Sequence, residues 1–382
     1  MVGCVAVLSA LSAPGAAGAN GWSIQPTPNP AGSVASALLG VSCTSPSACT
    51  GVGFSQQSDG TYATLAERWN GSSWEIQPKP NPAGASLGVF HGVSCTGPRF
   101  CIAVGNYRPA SGFELPLVER WNGHTWEVQP TPAPPGATFG VLYGVSCSGP
   151  RFCIAAGEQI VGGDTALPLA MRWDGHSWEL QSTPFPEGSR FTILGGVSCT
   201  GPSACTAVGQ YVDADGVPLA LAERWDGTSW EIQPTPFRGV VDRQVSLPGV
   251  SCPARRACTA VGFVQPQQGG FLTLAERWDG NSWAIQPTPN PPGASMHLSA
   301  VSCPTQRVCT AVGGSNATLA ERWDGTAWEI QPTPNPPGGT EAVLTGISCP
   351  TPSACTAVGT YFTSTGVQVT LAEGTTRSPR PG

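Results

Sequence analysis

Apolar and polar side chains alternate through a short segment that recurs along the chain at a nearly fixed interval. Residues 224–236, which read RWDGTSWEIQPTP, are a typical copy, and near copies extend from residue 68 to residue 334. An Asp-Gly or Asn-Gly pair in the middle of each copy is typical of a two-residue hairpin turn with positive φ at both central positions. The pattern therefore predicts that each copy is a β-hairpin.

The turn sets the register of this hairpin. With a two-residue turn in the first copy, Trp69 faces Ser72 and Glu67 faces Trp74. The two tryptophans are then diagonal neighbours, close enough for their rings to touch. Because side chains alternate across a strand, Glu67, Trp69, Trp74 and Ile76 share one face of the hairpin.

Fourteen of the fifteen cysteines fall into seven Ser-Cys-x5-Cys segments, each with a turn between two apolar runs. Directly opposed residues of an antiparallel hairpin have Cα atoms about 4.5–5.5 Å apart, which suits a disulfide. Thiolate zinc sites favour a shorter spacing and accompanying histidines. The spacing predicts seven local disulfides and an oxidising, extracytoplasmic location. The predicted pairs are Cys43 with Cys49, Cys95 with Cys101, Cys147 with Cys153, Cys199 with Cys205, Cys252 with Cys258, Cys303 with Cys309, and Cys349 with Cys355.

Each repeat contains four predicted strands. The first cysteines of successive pairs are 46 to 53 residues apart. In the first repeat, strand A covers residues 38–43, strand B 49–54, strand C 64–69 and strand D 74–77. Four short antiparallel strands in a repeat of about 50 residues are typical of a β-propeller blade.

The two ends of the chain complement each other. The N-terminal part has only a D strand, in residues 22–28, whereas the last repeat has strands A, B and C, in residues 344–373. We therefore expect an all-β, seven-bladed β-propeller over residues 21–376, with four antiparallel strands per blade. The N-terminal D strand would complete the C-terminal blade and close the ring, which removes exposed sheet edges.

Residues 1–20 combine an apolar run with small residues and read as a secretion signal. Residues 377–382 are expected to form a disordered tail.

The repeats also resemble known propeller families. Cys205-Thr206-Ala207-Val208-Gly209, followed by Glu223-Arg224-Trp225-Asp226 and then Trp230 with Pro234 and Pro236, resembles a kelch repeat. The Asp-Gly-x-Ser-Trp segment is similar to the Asp-box of sialidase-type propellers. These resemblances imply a propeller fold but no particular activity, because a fold does not determine a function.

The repeats agree on one face and differ on the other. The A–B and C–D turns are nearly uniform, whereas the B–C loops differ in length and residues. This contrast indicates a scaffold whose second face is adapted to binding, although unconstrained drift of the loops explains it equally well.

One position of strand A is predicted to lie at the mouth of the central channel on the variable face. Its residues are Leu39, His91, Tyr143, Gly195, Pro248, Ser299 and Thr345. His91 and Tyr143 fall on adjacent blades, within reach of Arg108, Glu114 and Asp164, and together form a candidate pocket for a polar ligand. The alternative is that these side chains simply fill the channel mouth.

Two repeated polar residues are interpreted as structural. The serine before each first cysteine, such as Ser42, recurs seven times, and we expect its hydroxyl to bond between neighbouring blades. The glutamate of strand C, such as Glu67, is replaced by Met171 in one repeat, which favours packing over catalysis.

Composition and charge argue against several classes of function. Charged residues make up 11% of the chain, the formal net charge is −6 and no basic run occurs, which argues against nucleic acid and anionic membranes. The apolar run at the N-terminus is too short to span a bilayer. No phosphate loop, metalloprotease motif or nucleophile elbow is present, so no catalytic residue, metal or cofactor is predicted.

The first hypothesis is a secreted, monomeric, non-catalytic scaffold that binds an extracellular protein or glycan. The alternatives are a carbohydrate-active enzyme with its site at the channel mouth and a purely structural envelope component. An enzyme should gather acids, arginine and tyrosine in a concave mouth, whereas a flat or apolar mouth would leave only the scaffold.

Overall fold

The computed structural model describes residues 21–376, apart from residues 79–81, 83, 111, 164, 237–241, 292 and 294. These described residues form strands, turns and irregular segments, and none of them is helical. The described chain accordingly offers no apolar helix of membrane-spanning length. The predicted secretion signal and C-terminal tail lie outside the described residues, as does Asp164.

The strands follow one another in groups of four after a single leading strand, β1 (Gly21–Ile24). The first four groups are β2 (Ser33–Ser45), β3 (Ala48–Gln57), β4 (Tyr62–Trp69) and β5 (Trp74–Ile76); β6 (Leu87–Gly97), β7 (Phe100–Arg108), β8 (Leu115–Trp121) and β9 (Trp126–Val128); β10 (Ala137–Gly149), β11 (Phe152–Val161), β12 (Thr165–Trp173) and β13 (Trp178–Gln181); β14 (Phe191–Gly201), β15 (Ala204–Val212), β16 (Pro218–Trp225) and β17 (Trp230–Gln233). The remaining groups are β18 (Asp242–Ala254), β19 (Ala257–Pro266), β20 (Leu272–Trp278) and β21 (Trp283–Gln286); β22 (His297–Thr305), β23 (Val308–Gly314), β24 (Thr318–Trp323) and β25 (Trp328–Gln331); and β26 (Thr340–Thr351), β27 (Ala354–Phe362) and β28 (Gln368–Thr376).

Each group is an antiparallel sheet of strands A, B, C and D, called a unit below. The last unit has three consecutive strands, and β1 pairs antiparallel with its strand C, from Gly21 opposite Thr376 to Ile24 opposite Glu373. Strand β1 thus supplies the fourth strand of that unit. Two loop-side bridges, Ala35 with Gln368 and Ala166 with Phe191, connect strand C of one unit to strand A of the next.

The C–D hairpin differs in register from the sequence prediction. Trp69 pairs directly with Trp74, and Glu67 pairs with Ile76, so the connecting loop has four residues rather than two. The predicted diagonal contact of the tryptophans was wrong, and their ring centroids lie 5.8 Å apart as a direct pair. Because the loop is longer by two residues, the alternation is preserved and the predicted common face is correct.

A side-chain hydrogen bond explains the longer loop. The Oδ1 atom of Asn70 accepts the backbone N–H groups of Ser72 and Ser73, each at 2.9 Å. Only Gly71 has positive φ, at 99°, so Asn70 does not adopt the left-handed conformation that a two-residue turn demands. The same side-chain cap holds the other C–D loops, as at Asp226 with the N–H groups of Thr228 and Ser229.

The hydrophobic core is divided among the boundaries between units. One cluster joins Val52 and Ala66 of the first unit to Phe90 and Trp126 of the second. Another joins Leu38 of the first unit to residues of the last unit, including Val358 and Ala372. Each unit therefore buries its apolar face against its neighbours and not within itself.

The predicted disulfides are confirmed in every unit. All seven Cys-x5-Cys pairs are bonded, and their Cα atoms are 3.9–4.0 Å apart, closer than the separation expected from the sequence. The bonds join Cys43 to Cys49, Cys95 to Cys101, Cys147 to Cys153, Cys199 to Cys205, Cys252 to Cys258, Cys303 to Cys309, and Cys349 to Cys355.

The second cysteine of each pair is buried and belongs to the core between units. At most 6% of its surface is exposed in any unit, and each lies in one of the hydrophobic clusters. The seven are Cys49, Cys101, Cys153, Cys205, Cys258, Cys309 and Cys355. The disulfides are therefore structural parts of the core and not components of a surface site.

The predicted serine bridges are also confirmed. The Ser42 hydroxyl accepts the backbone N–H of Cys95 in the next unit at 3.0 Å. The bond recurs seven times, and its last member runs from the N–H of Cys43 in the first unit to Ser348 in the last, at 2.9 Å. Neighbouring units are thus tied together by a hydrogen bond at each boundary as well as by apolar packing.

Candidate functional site

The strand A position singled out from the sequence lines one cavity, called the axial cavity below. Its volume is about 330 Å³, and its lining includes Leu39, His91, Tyr143, Gly195, Pro248, Ser299 and Thr345. The next residue of strand A is small, which lets the A strands of neighbouring units approach one another closely. A Cβ atom on Gly92 would lie 2.8 Å from the backbone oxygen of Tyr143 in the next unit. The volume falls at the lower end of the range for small-ligand sites.

Two aromatic side chains from adjacent units meet at this cavity. His91 on β6 and Tyr143 on β10 are both half-buried, and their ring centroids lie 5.3 Å apart at an interplanar angle of 67°. This edge-to-face arrangement is a favourable geometry for aromatic rings. The structure thus brings together the two residues at the centre of the predicted pocket.

A chain of hydrogen bonds holds His91 in place. Its Nε2 atom lies 3.0 Å from Oδ1 of Asn106, and the Asn106 amide nitrogen donates to Glu114 Oε2 at 2.6 Å. Arg108 forms an ion pair with the other oxygen of Glu114. Because the amide nitrogen of Asn106 faces a carboxylate, its oxygen faces the imidazole, and Nε2 of His91 must carry the proton.

The protonation of His91 follows from its surroundings. Burial lowers the pKa of His91, against smaller upward effects of the bond to Asn106 and the charge of Glu114. The ring is therefore neutral at physiological pH, and its Nδ1 atom is left as a hydrogen-bond acceptor.

Tyr143 is tied to a second carboxylate. Its hydroxyl donates to Glu158 Oε1 at 2.7 Å. Burial raises the pKa of Tyr143, and the bond and the charge of Glu158 raise it further, so the hydroxyl keeps its proton. Burial also raises the pKa of Glu158, while the hydrogen bond from Tyr143 lowers it. The half-buried carboxyl group of Glu158 therefore lies next to the Tyr143 hydroxyl.

Four of the five predicted pocket residues belong to this network, namely His91, Tyr143, Arg108 and Glu114. Sequence reasoning did not single out Asn106 and Glu158, although they make the bonds that orient the two rings. Both residues follow the last glycine of strand B, and this position differs between units in the way the strand A position does. Its residues are Phe54, Asn106, Glu158, Gln210, Phe263, Gly314 and Thr360.

The described residues do not assemble a metal site. No three His, Cys, Asp or Glu side chains among them are placed to hold a metal ion. All fourteen described cysteines are in disulfides. The titratable groups at the cavity are instead hydrogen-bonded to one another, which suits a surface that recognises a polar ligand in a fixed geometry.

Comparison with known proteins supports the fold. YCF48 bound to D1 peptide is similar over 95% of this chain and 98% of that chain, with 15% identity and a TM-score of 0.56. YCF48 from Cyanidioschyzon merolae is similar over 92% of this chain and 98% of that chain, with 14% identity and a TM-score of 0.53. Both neighbours are β-propellers, so the chain has a β-propeller fold.

Other comparisons carry no functional argument. A Trypanosoma rangeli sialidase aligns with 90% of this chain and 54% of its own, at 10% identity and a TM-score of 0.48. No family model matches the chain, and no curated protein matches it. The kelch and Asp-box resemblances therefore rest only on the residues quoted above.

Proposed function

We propose that the chain is a secreted, non-catalytic, seven-bladed β-propeller that binds an extracellular protein or glycan at the axial cavity. Its binding surface is the loop face, defined as the B–C loops, the D–A connections and the strand ends next to them. The observation that carries this proposal is the pair of hydrogen bonds that hold His91 and Tyr143 beside the axial cavity, to Asn106 and Glu158 respectively.

Two contacts between the ends of the chain support a closed ring of seven blades. Strand β1 pairs with β28, and the Cys43 N–H bonds to Ser348, so the first unit meets the last through the same bond that joins the consecutive units. Closure of this kind leaves no outer unit with an unpaired face.

Secretion is supported by the disulfides and by the first twenty residues. Seven disulfides indicate an oxidising, extracytoplasmic environment. Residues 1–20 have the apolar run and the small residues of a cleavable secretion signal.

Two observations favour a protein over a glycan as the ligand. One of the similar propellers is recorded with a bound peptide, so a fold of this kind accommodates a polypeptide ligand. The cavity lining also includes seven glycines, where the absence of a side chain lets an extended chain approach the backbone.

The enzyme alternative also has an observation in its favour. The axial cavity is concave, and an arginine, two glutamates and a tyrosine gather beside it, as expected for a carbohydrate-active enzyme. The pairing of these groups supports binding instead, because Glu114 is held by Arg108 and Asn106, and Glu158 by Tyr143. A general acid or base needs to exchange its proton with substrate.

A binding screen tests the proposal. Wild-type protein and the double variant His91→Ala/Tyr143→Ala would be applied to peptide and glycan arrays, with His124→Ala as the control because His124 is exposed on the opposite face. We expect ligands that bind wild type and the control equally and the double variant at least about tenfold more weakly. If no ligand binds, or if the double variant binds as tightly as wild type, the proposed site is excluded.

The same screen separates binding from catalysis. Each bound ligand would be eluted after prolonged incubation and weighed by mass spectrometry. Recovery of intact ligand is the expected result, whereas cleaved or oxidised ligand that depends on His91 and Tyr143 would establish the enzyme.

A further inference from the structure

An apolar notch opens from the axial cavity beside Tyr143. Gly195 occupies the strand A position of the fourth unit and lines this notch. The notch has a volume of about 200 Å³, and its walls are formed mainly by Tyr143, Ile193 and Pro248, with Gly195, Gly209 and Ser246 completing the lining. It is large enough for an extended aliphatic side chain, and its walls are apolar.

The Tyr143 ring that forms one wall leads to a carboxylate. The hydroxyl of that ring is hydrogen-bonded to Glu158 at 2.7 Å, so Glu158 lies just beyond the end of the ring. The hydroxyl proton is already used in this bond, which leaves the Tyr143 oxygen and the second oxygen of Glu158 as acceptors. A ligand that extends from the notch along the ring to its hydroxyl would thus meet the Tyr143 oxygen and the Glu158 carboxyl group.

The described side chains of the loop face are mainly acidic. Among the residues whose side chains are described, it carries seven carboxylates and two guanidinium groups. The carboxylates are Asp59, Glu114, Glu158, Glu187, Asp213, Asp215 and Glu341, and the guanidinium groups are those of Arg108 and Arg190. Such an imbalance attracts a cationic partner and repels an anionic one.

We propose that the partner is a basic polypeptide segment, and that one lysine side chain of this segment enters the notch. This inference rests on the proposed function and specifies its ligand. The four-carbon stem of lysine packs along Ile193, Pro248 and the face of the Tyr143 ring, and the ammonium group donates to Glu158 and the Tyr143 oxygen. A lysine combines an apolar stem with a charged end, which matches apolar walls and a carboxyl group that is bonded to the hydroxyl of the Tyr143 wall.

The test uses the full oxidised protein and four immobilised peptides of one Gly/Ser backbone. Each peptide carries three lysines, three arginines, three norleucines or three glutamates, and binding is measured by biolayer interferometry at low and high salt. We expect the lysine peptide to bind at least about tenfold more tightly than the norleucine and glutamate peptides, and to weaken as salt increases. The arginine peptide should bind less tightly than the lysine peptide, because a planar guanidinium fits a narrow apolar notch less well.

Two isosteric variants separate the notch from the general charge of the face. Glu158→Gln removes the carboxylate bonded to Tyr143, whereas Glu187→Gln removes one exposed charge elsewhere on the loop face. The expected result is a loss of about tenfold or more in lysine-peptide affinity for Glu158→Gln and less than about twofold for Glu187→Gln.

The remaining outcomes overturn the inference in distinguishable ways. Equal losses in the two variants, or norleucine binding as tight as lysine binding, would remove the lysine site. Glycan or acidic-peptide binding that depends on His91 and Tyr143 would remove the basic partner and leave the proposed function standing. Failure of every peptide and glycan to bind would remove both.

Discussion

Glutamate occupies one position of strand C in six of the seven units, and each of these side chains is 0% exposed. The six are Glu67, Glu119, Glu223, Glu276, Glu321 and Glu373. Burial raises the pKa of Glu67, Glu223, Glu276, Glu321 and Glu373 to about 8. These carboxyl groups are mainly protonated at neutral pH and pack as neutral side chains. Met171, also 0% exposed, takes the place in the third unit and shows that an uncharged chain of similar length fits.

These residues make stability depend on pH. A carboxyl group with a folded pKa near 8 and an unfolded pKa near 4.5 stabilises the fold fully below pH 4.5. That stabilisation is lost as the pH rises from 4.5 to 8, because the unfolded chain releases the proton first. Urea unfolding with intact disulfides should therefore give a lower midpoint at pH 8 than at pH 5.

Substitutions at the strand C glutamate position test this pH dependence of stability. Glu223→Met should reduce the difference in unfolding free energy between pH 5 and pH 8 by at least about 1 kcal/mol, because one raised pKa is removed. The reverse change, Met171→Glu, should increase that difference by a similar amount. An unchanged pH profile in both variants would show that these glutamates ionise normally in the folded protein.

At the scale of the element, the A–B hairpin depends on a glycine near the middle of strand B. In the second unit a bulge in β6 between Phe90 and Gly92 turns the backbone oxygen of Val89 toward Gly105. A Cβ atom on Gly105 would lie 1.9 Å from that oxygen, which no rotamer can relieve because both partners are backbone. The same close approach recurs at the equivalent glycine of the other units, as at Gly209 with 2.0 Å.

Alanine substitution tests this constraint. Gly105→Ala should lower the free energy of unfolding by about 3 kcal/mol or more, since the two strands must separate to admit the methyl group. Gly97→Ala in the same hairpin is the control, because nothing lies within 4 Å of its Cβ position. Its effect should stay within about 0.5 kcal/mol in the same denaturant titration. Similar losses for both variants would mean that the cost comes from strand propensity and not from the close approach.

At the scale of the whole molecule, charge is divided between the two faces. The formal net charge is −6, and five protonated glutamates bring it to about −1 at neutral pH. The opposite face, formed by the A–B and C–D turns, carries eleven arginines and nine carboxylates among the described side chains. The acidic loop face is therefore a local feature, and the protein would orient in the field of a charged partner.

If the proposed ring is closed, the chain can begin and end in another unit and still form the same fold. Thr375 lies opposite Trp22 as Trp225 lies opposite Trp230. A permuted chain would join Thr375 to Trp22 through an Asp-Gly-Thr-Ser loop and begin at Thr228 in the fourth unit. Because the loop copies residues 226–229, the permutant should fold as a monomer with an unfolding free energy within about 1 kcal/mol of wild type.

Deletion of residues 21–28 provides the contrasting variant. It exposes the edge of β28 and uncovers the core cluster that contains Trp22, so we expect lower stability and association between molecules. A permutant that fails to fold while the deletion variant remains stable and monomeric would contradict closure through β1.

The sequence by itself determined the repeated strands, the seven disulfides, the serine bridges and the strand A position that lines the axial cavity. These features repeat with the period of the chain, and a repeated side chain occupies an equivalent place in every unit. It also singled out His91, Tyr143, Arg108 and Glu114, which lie close together in the structure, because the strand A position and the B–C loops differ between units.

Only the tertiary structure decided which partners the non-repeated side chains contact. The four-residue C–D loop depends on a side-chain cap, and the raised pKa of Glu223 depends on its burial between two sheets. The bonds of Asn106 and Glu158 join strands A and B of one unit, and the notch beside Gly195 forms where three units meet. Alternation within a strand specifies which face a side chain takes, but the partner it contacts there is set by the three-dimensional packing of the strands and units.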